Sequence, residues 1–485
     1  ALQAKRWDIN LTIDAEEADR LELSQDILSA LAHDPDLAGW NGLGLAIQAY
    51  SKRTHLLVDW LVDLARAAGR RLMVRLVKGA YWDTEIKMSQ IASHPDYPVF
   101  TRKAATDLSY LVCARKMLAA RDAIYPQFAT HNAYTIAAIL HLAGDNRDLE
   151  FQRLHGMGEL LYTAAREVLP SFPRVRIYAP VGTHEDLLPY LVRRLLENGA
   201  NSNFVNAYMD PEVPVSDVVA DPAAFLEKEG MLRHPRIPTP ADIYGSERAN
   251  SKGFDLTAPE KVAELTGQMQ AALARNWSAG PIVGGVQLDG VTQPVTDPAN
   301  RTRIVGTVVL AGKDAVERAL SLSVAAQKAW DRDGADHRAA CLDRAADLME
   351  ADTPALMALL VREAGKTLPD AVAEVREAVD FCRYYAAQAR TGLKSVLLPG
   401  PTGERNELHL TGRGTFACIS PWNFPLAIFV GQVVAALVTG NAVIAKPAEQ
   451  TPLIAAEAVR LLHKAGVPGD VLHLLPGDGE TVGAA

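Results

Sequence analysis

Two adjacent arginines, Arg193 and Arg194, lie in the segment LLPYLVRRLLENGANSN at residues 187–203. At about 100° per residue, the leucines and Val192 of this segment form one apolar stripe, and the arginines fall on the other face with Glu197. The planar fork of each guanidinium suits a small carboxylate. A solvated helix face with an Arg–Glu pair explains the same spacing about equally well.

A second candidate site lies in RLVKGAYWD, residues 75–83, which combines positive charge with flat aromatic surface. Arg75 and Lys78 lie at the end of an apolar strand, and Gly79 allows the backbone to approach a ligand closely. Tyr81 and Trp82 follow and offer stacking surfaces. The combination suits a flavin or a nucleotide phosphate, although the two aromatic residues could equally be part of a hydrophobic core.

The pentapeptide PWNFP at residues 421–425 places Asn423 between two prolines that stiffen the backbone. An Asn amide offers two N–H donors and no charge, so it could stabilise an oxyanion that develops during a reaction. On these five residues alone, a simple proline-bounded turn is the more common outcome.

The composition excludes several classes of function. The formal net charge is −9 and the pI is about 5.8, which argues against binding to a phosphate backbone, so no nucleic acid partner is expected. Four widely spaced cysteines form no metal-like pair. The uncharged run Phe424–Ala445 is long enough to span a bilayer, but Pro425, Gln432 and the sequence Thr-Gly-Asn at 439–441 predict a buried helix followed by a buried strand.

The first part of the chain alternates apolar strands with amphipathic helices, which predicts a parallel sheet. Polar or charged residues follow several strands, as at His131 in ATHNA, although a lone His there is more commonly a core or capping residue. Function at many successive strand ends is typical of a (β/α)8 barrel. The sequence predicts strands at Asp8–Ile13, Leu43–Gln48, Leu72–Val77, Tyr125–Thr130, Leu149–Leu154 and Val175–Tyr178.

Six strands are fewer than a barrel needs, so we expect an incomplete barrel at residues 1–209. Seven prolines crowd residues 210–262, which predicts a linker with little helix. Residues 263–485 are predicted as a second α/β domain that begins with helices rich in Ala and charge. Its expected strands are Thr415–Ser420, Ala442–Ala445 and Val471–Leu474.

Several motifs together resemble a known family. INLTIDAEEADRLELS, AGWNGLGLAIQAY, RLMVRLVKGAYWD, YPQFATHNA, LHGMGE and RIYAPVGTHEDLLPYLVRRLLENGANSNFVN resemble the proline dehydrogenase domain of the bifunctional proline utilization A family. PWNFP, GNAVIAKPAEQTP and LLPGDGETVG resemble the aldehyde dehydrogenase superfamily. The resemblance implies part of a (β/α)8 barrel followed by the N-terminal part of an aldehyde dehydrogenase-like Rossmann-type domain, apparently truncated at both ends.

The resemblance also implies roles for individual residues. In this family the barrel holds FAD, and L-proline passes a hydride to the flavin. Arg193 and Arg194 would bind the proline carboxylate; Tyr81, Leu154 and Tyr178 would shape the pocket, with Asp14 nearby. The residues implied to surround FAD are Gln48, Arg75, Lys78, Gly79, Trp82, Thr101, Arg102, Lys103, Thr130, His131, Asn132, Gln152, Glu197 and Phe204.

For the second domain, the resemblance implies NAD binding and oxidation of glutamate semialdehyde. Asn423 would donate to the oxyanion, Lys446 and Glu449 would reach the adenosine ribose, and the loop around Gly479 would open a helix near the cofactor. The nucleophilic Cys and the general-base Glu of that superfamily are not matched here. We therefore expect no aldehyde oxidation from these 485 residues alone.

The resulting hypothesis is an enzyme of proline catabolism that uses FAD and NAD. By resemblance we expect a quinone as electron acceptor at the membrane surface, a homodimer, and a cytoplasmic location peripheral to the inner membrane. The alternative is a non-catalytic module that senses proline or a nucleotide. Bleaching of a flavin absorbance on addition of proline would separate the two.

Overall fold

The computed structural model describes residues 1–199, 214 and 219–484, except for the side chains of Asp186 and residues 193–199. The chain divides into two compact units. Unit 1 comprises Ala1–Ile91 and Asp96–Ile237; unit 2 comprises Ala92–Pro95 and Pro238–Ala485. Each unit is described by itself.

Unit 1 is built on a six-stranded sheet in which every strand pairs in parallel with the next strand along the chain. Alternation with period two separates its faces. Val74 and Leu76 are buried in the hydrophobic core, whereas Arg75 between them lies on the other face opposite Gln127 of the next strand. The strands are β1 (Leu11–Ile13), β2 (Leu43–Gln48), β3 (Leu72–Val77), β4 (Ile124–Ala129), β5 (Glu150–Leu154) and β6 (Arg174–Tyr178).

Helices cover the apolar face of this sheet, because their own apolar stripes pack there against residues such as Phe128 and Phe151. The helices of unit 1 are α1 (Leu2–Arg6), α2 (Leu21–His33), α3 (Thr54–Ala67), α4 (Trp82–Ala92), α5 (Lys103–Ala119), α6 (Ala133–Ala143), α7 (Glu159–Val168), α8 (His184–Gly199) and α9 (Pro222–Glu229). Short 3-10 helices cover Ala18–Arg20 and Pro35–Leu37.

Two features of unit 1 differ from the sequence-based expectations. The segment after residue 210 contains the helix α9, which the proline count obscured: Pro222 occupies a first-turn position, the Asp221 carboxylate accepts from the Ala223 N–H at 2.9 Å, and Gly230 ends the helix in a left-handed conformation. The first strand is also shorter than expected, since it begins at Leu11.

Unit 2 contains a five-stranded sheet in the order β14-β15-β16-β8-β9, whose first three strands are parallel. Two smaller sheets, β10-β11-β7 and β12-β13, accompany it. The strands are β7 (Trp277–Ala279), β8 (Ile282–Val283), β9 (Val286–Gln287), β10 (Thr292–Asp297), β11 (Asn300–Val309), β12 (Val396–Leu398), β13 (Asn406–Leu408), β14 (Thr415–Ile419), β15 (Ala442–Lys446) and β16 (Leu472–Leu474).

The uncharged run beginning at Phe424 forms a buried helix and a buried strand, as predicted. In the portion of the chain that the structure describes, no helix combines the length and apolar character needed to cross a membrane. Apart from a 3-10 turn at Pro240–Asp242, the helices of unit 2 are α10 (Pro259–Ala272), α11 (Lys313–Arg332), α12 (Ala335–Ala351), α13 (Thr353–Ala364), α14 (Leu368–Gly392), α15 (Ala427–Val438) and α16 (Pro452–Lys464).

Candidate active site

Arg75 connects three strand ends of unit 1. Its Nη2 donates to the carboxylate of Asp14, which directly follows β1. Its guanidinium carbon lies 5.7 Å from the ring centre of Tyr178, the last residue of β6. Because β1 and β6 lie at opposite ends of the strand order, these contacts require the parallel sheet to curl. The curl gathers three of the predicted site residues at the carboxyl edge of the sheet.

Two lysines converge on one carboxylate beside the same edge. Asp107 of α5 accepts from Lys78 and, at 2.7 Å, from Lys103. Burial alone would raise the pKa of Asp107, but the two ammonium groups lower it below its ordinary value. Asp107 thus fixes the positions of two ammonium groups beside this edge of the sheet.

Gly79 brings the backbone close to the ring of Tyr50, and its predicted close approach to a ligand stays a prediction. Its φ is +136°, and a Cβ there would lie 2.5 Å from the ring of Tyr50. The next residue, Ala80, donates its N–H to Gln48 Oε1 at 3.3 Å, and Gln48 Nε2 donates to the Glu16 carbonyl at 2.6 Å. The Gln48 amide therefore holds the loop after β3 to the loop after β1.

The residues after β4 make local contacts that fix their positions. His131 Nε2 accepts from the Leu154 N–H at 3.2 Å, so this nitrogen is unprotonated. The Asn132 side chain caps α6 by accepting from the Thr135 N–H at 3.0 Å. The Thr130 carbonyl accepts from the hydroxyl of a buried tyrosine at 2.8 Å. The contact with Leu154 gives His131 a local structural role, which is the alternative that the sequence analysis gave for it, and the three contacts place all three residues at the strand end.

Thr101, Arg102 and Trp82 are held by main-chain and side-chain contacts of their own. Arg102 donates to the Arg233 carbonyl at 3.1 Å and pairs with Glu229 at 3.2 Å. The Thr101 hydroxyl accepts from the N–H of residue 234 at 3.0 Å, and Trp82 Nε1 donates to the carbonyl of residue 100 at 2.9 Å. These contacts tie Thr101 and Arg102 to the segment around α9, and they tie Trp82 to residue 100.

Other predicted residues of unit 1 lie where the structure gives no side chain. Arg193, Arg194 and Glu197 belong to the backbone of α8, but their side chains lie outside the described part. Phe204 lies outside the described residues altogether. Leu154 is buried at the end of β5, and Tyr81 is half-buried between Gly79 and α4.

The sequence analysis missed a buried polar network around Gln152. Gln152 Nε2 donates to Glu150 Oε1 at 2.7 Å, Gln127 Nε2 donates to the same oxygen at 3.0 Å, and Arg176 pairs with the carboxylate through two nitrogens at 2.8 and 3.0 Å. The available signal was a glutamate two residues before Gln152 inside a strand whose other residues are all buried.

In unit 2, the PWNFP loop is held by α14. The Glu374 carboxylate, which is 2% exposed, accepts from the N–H groups of Leu426 and Ala427 at 3.3 and 3.0 Å, directly after the second proline. Lys366 forms an ion pair with Glu374 at 3.0 Å and lies 4.5 Å from the ring centre of Phe424. The exposed Asn423 therefore lies on a loop that is fixed on its C-terminal side, as a precisely aimed donor would require.

The predicted NAD residues follow β15. Lys446 is the last residue of the strand and is largely buried, and its Nζ lies 3.9 Å from a carboxylate oxygen of the exposed Glu449. Gly479 begins a turn at residues 479–482, and the Asp478 side chain accepts from the Thr481 N–H at 2.6 Å. The structure does not show a contact between this turn and Glu449.

The four thiols are buried, and burial raises their pKa values. The pKa of Cys113 and of Cys418 is raised to about 11, that of Cys382 to about 12, and that of Cys341 is raised as well. None of them is an activated nucleophile at neutral pH.

Comparison with known proteins relates the segments that contain the two sites to the same relatives. A family model described as proline dehydrogenase matches residues 1–207, and one described as aldehyde dehydrogenase family matches residues 286–485. The bifunctional protein PutA of Klebsiella aerogenes is 53% identical over 496 residues, which cover 100% of this chain and 37% of the relative. The corresponding protein of Escherichia coli is 52% identical, with the same coverage.

Solved structures show the same similarity over nearly the whole chain. A mutant proline utilization A (PutA) of Bradyrhizobium japonicum matches with a TM-score of 0.89 and 50% identity, covering 100% of this chain and 46% of that one. The PutA of Bdellovibrio bacteriovorus, inactivated by N-propargylglycine, matches with a TM-score of 0.88 and 32% identity over 99% of this chain and 50% of that one. Over its whole length the chain is similar to part of the PutA proteins, and it contains a proline dehydrogenase domain and an aldehyde dehydrogenase domain. It spans 37% of the length of the first two curated PutA relatives.

The two family models assign a family to each site. The strand-end cluster around Arg75 lies in the segment that matches proline dehydrogenase, and the PWNFP loop lies in the segment that matches aldehyde dehydrogenase. The predicted family and the predicted fold class are confirmed.

Proposed function

We propose that unit 1 binds FAD and oxidises L-proline to Δ1-pyrroline-5-carboxylate, as a step of proline catabolism. The observation that carries this proposal is the position of Arg75 between Asp14 and Tyr178 at the carboxyl edge of a curled parallel sheet. The match to the proline dehydrogenase model over the same residues supports it.

The residues present fit FAD. The Gln152 Oε1 atom is buried and has no hydrogen-bond partner among the described residues, so a bound donor would satisfy it. Lys78 and Lys103 offer positive charge to a phosphate. The residues proposed to surround FAD are Gln48, Arg75, Lys78, Gly79, Trp82, Thr101, Arg102, Lys103, Thr130, His131, Asn132, Gln152, Glu197 and Phe204.

FAD bound by these residues would supply the acceptor for the hydride of proline. Arg75 would favour the negative charge that builds on the flavin during reduction. Tyr178 and Leu154, with Tyr81, would exclude water and shape the proline pocket. For Arg193 and Arg194 we propose the carboxylate clamp, since adjacent guanidiniums can bind a carboxylate through paired N–H groups.

For unit 2 we propose NAD binding, with Lys446 and Glu449 at the adenosine ribose and the turn at Gly479 near the cofactor. Asn423 would donate to an oxyanion derived from glutamate semialdehyde, and the Lys366–Glu374 pair that fixes its loop supports this role. Aldehyde oxidation also needs a thiolate. The buried thiols of this chain do not supply one, so we propose the oxidation only for a protein that adds a nucleophile.

We further propose, from the family resemblance alone, a quinone as electron acceptor at a membrane surface and a homodimer in the cytoplasm. Reduction of a soluble quinone by proline, with and without phospholipid vesicles, tests the acceptor and the surface. Light scattering tests the homodimer.

The central experiment is anaerobic addition of L-proline to the purified, FAD-loaded chain, with D-proline as the stereochemical control. We expect the flavin absorbance to bleach with L-proline. Arg193→Met and Arg194→Met should each raise the KM for L-proline while the flavin stays bound. The factor should correspond to the loss of a hydrogen bond to a charged group, which is about 1.5–3 kcal/mol. A bound flavin that proline does not bleach would instead support the non-catalytic sensor.

A further inference from the structure

Glu150 is a carboxylate with no solvent exposure inside unit 1. It receives hydrogen bonds from its own strand and from both neighbouring strands. Gln152 of β5 donates at 2.7 Å, Gln127 of β4 at 3.0 Å, and Arg176 of β6 at 2.8 and 3.0 Å. The guanidinium of Arg176 supplies the counter-charge that makes such a buried carboxylate tolerable. The network has four members and only one acceptor group at its centre.

An ionised carboxylate can only accept, so it selects the orientation of each glutamine amide that meets it. Gln127 and Gln152 must both turn their NH2 groups toward Glu150, which turns both carbonyl oxygens away from it. Each of these two oxygens is buried and lacks a hydrogen-bond partner within the described ranges 1–199, 214 and 219–484. Gln127 Nε2 also donates to the Met73 sulfur at 3.6 Å, and this contact favours the same orientation of the amide.

Two buried, unpaired acceptors are unfavourable unless something donates to them. We infer that Glu150 is a positioning residue that fixes the Gln127 and Gln152 amides with their carbonyl oxygens free to accept from donor groups of bound FAD. The inference rests on the proposed function. It extends that function by a residue that touches no ligand and by a second amide, Gln127, beside the expected Gln152.

The test is a double-mutant cycle read out by FAD affinity. FAD is titrated into the apoprotein by fluorescence quenching, and the visible spectrum of the bound flavin is recorded. Gln152→Leu removes one acceptor, and Glu150→Gln lets the amides turn round. We expect each single change to raise the Kd for FAD at least tenfold and to shift the flavin absorption bands.

If Glu150 acts through Gln152, the double variant should bind FAD within about threefold of the weaker single variant, because the second change removes nothing further. Arg153→Met is the matched control: Arg153 is buried on the same strand but donates to the Met157 carbonyl at 3.1 Å and not to Glu150. It should lower the melting temperature and leave the flavin spectrum unchanged.

The outcomes separate the two claims. Fully multiplicative losses in the double variant, or an unchanged Kd in Glu150→Gln, overturn the positioning role and leave the proposed function standing. If the unmodified chain takes up no FAD, the proposed function fails and this inference fails with it. If Glu150→Gln does not fold by circular dichroism, Gln127→Leu and Gln152→Leu decide: both must weaken FAD binding, and an unchanged Kd in either one overturns the inference.

Discussion

Glu363 makes the stability of unit 2 depend on pH in an unusual direction. Its side chain lies near the end of α13, 4% exposed, and accepts from the N–H groups of Leu453 and Ile454 at 2.7 and 2.9 Å, in the first turn of α16. Across the described part of the chain no cation forms an ion pair with it. Burial raises its pKa from 4.5 to about 8, although the two N–H donors act in the opposite direction.

The sign follows from linkage. Because the folded pKa lies above the unfolded one, the folded protein binds a proton more tightly between about pH 4.5 and 8, and the free energy of unfolding falls as pH rises through that window. Taking the two pKa values as 4.5 and about 8, at about 1.4 kcal/mol per pH unit, the loss is on the order of 5 kcal/mol. Above this window the loss is complete.

Glu363→Gln keeps an acceptor oxygen but cannot ionise. At pH 5 the variant should be less stable than the parent by about 1 kcal/mol, since one amide oxygen replaces two carboxyl oxygens for the two donors. At pH 9 it should be more stable by about 3–4 kcal/mol. For a unit of this size, about 2–4 °C per kcal/mol places the change in melting-temperature difference between the two pH values at about 10–20 °C.

The assay is differential scanning calorimetry of parent and variant from pH 5 to 9, following the transition of unit 2. Subtraction cancels the other titrating groups. Glu317→Gln, an exposed substitution on α11, is the control and should give a flat difference. A flat difference for Glu363→Gln would refute the reasoning: the carboxylate would then be ionised throughout, held by the N-terminus of α16.

Three further predictions concern the two sites. Asp107→Asn leaves Lys78 and Lys103 without their shared carboxylate, so it should lower stability by about 1–2 kcal/mol after allowance for partial exposure, and saturating FAD should restore part of it; an equal drop in melting temperature with and without FAD would contradict this. Calorimetric titration should show tighter binding of NAD than of NADP, because the Glu449 carboxylate would repel a 2′-phosphate; equal affinities would exclude that role. These 485 residues should not reduce NAD with glutamate semialdehyde, because the pKa values of their thiols are raised; turnover that is lost in Cys418→Ser would prove the opposite.

The sequence predicted the six strands of unit 1 and their parallel arrangement well, because alternation with period two and apolar helix faces are local signals. It also predicted that polar residues at the strand ends of unit 1 would converge, and Arg75 with Asp14 and Tyr178 confirm this. It did not predict the partners of these residues. Glu150 meets Gln127 and Arg176 only through strand register, at separations of more than twenty residues, and no local pattern encodes that.

The errors have the same origin. A count of prolines hid α9, since proline favours the first turn of a helix as much as it interrupts a helix interior. The apolar stripe of α8 places Leu188 and Leu191 on one face of the helix, yet both are about half exposed. Periodicity states which residues share a face but not what covers that face.

In each site, a carboxylate that the motifs did not single out holds the residues that they did. Asp107 holds Lys78 and Lys103, Glu150 holds the amides, and Glu374 holds the loop of Asn423. A residue that faces the ligand can be recognised in a motif because its chemistry must suit the ligand. The carboxylate that holds it in place need only suit the fold, so no motif marks it. Because an unpaired buried charge is costly, this carboxylate and the groups that donate to it must be present together. Substitutions at these carboxylates should therefore change where the ligand-facing groups lie, and so alter affinity and spectrum, without removing any group that touches the ligand.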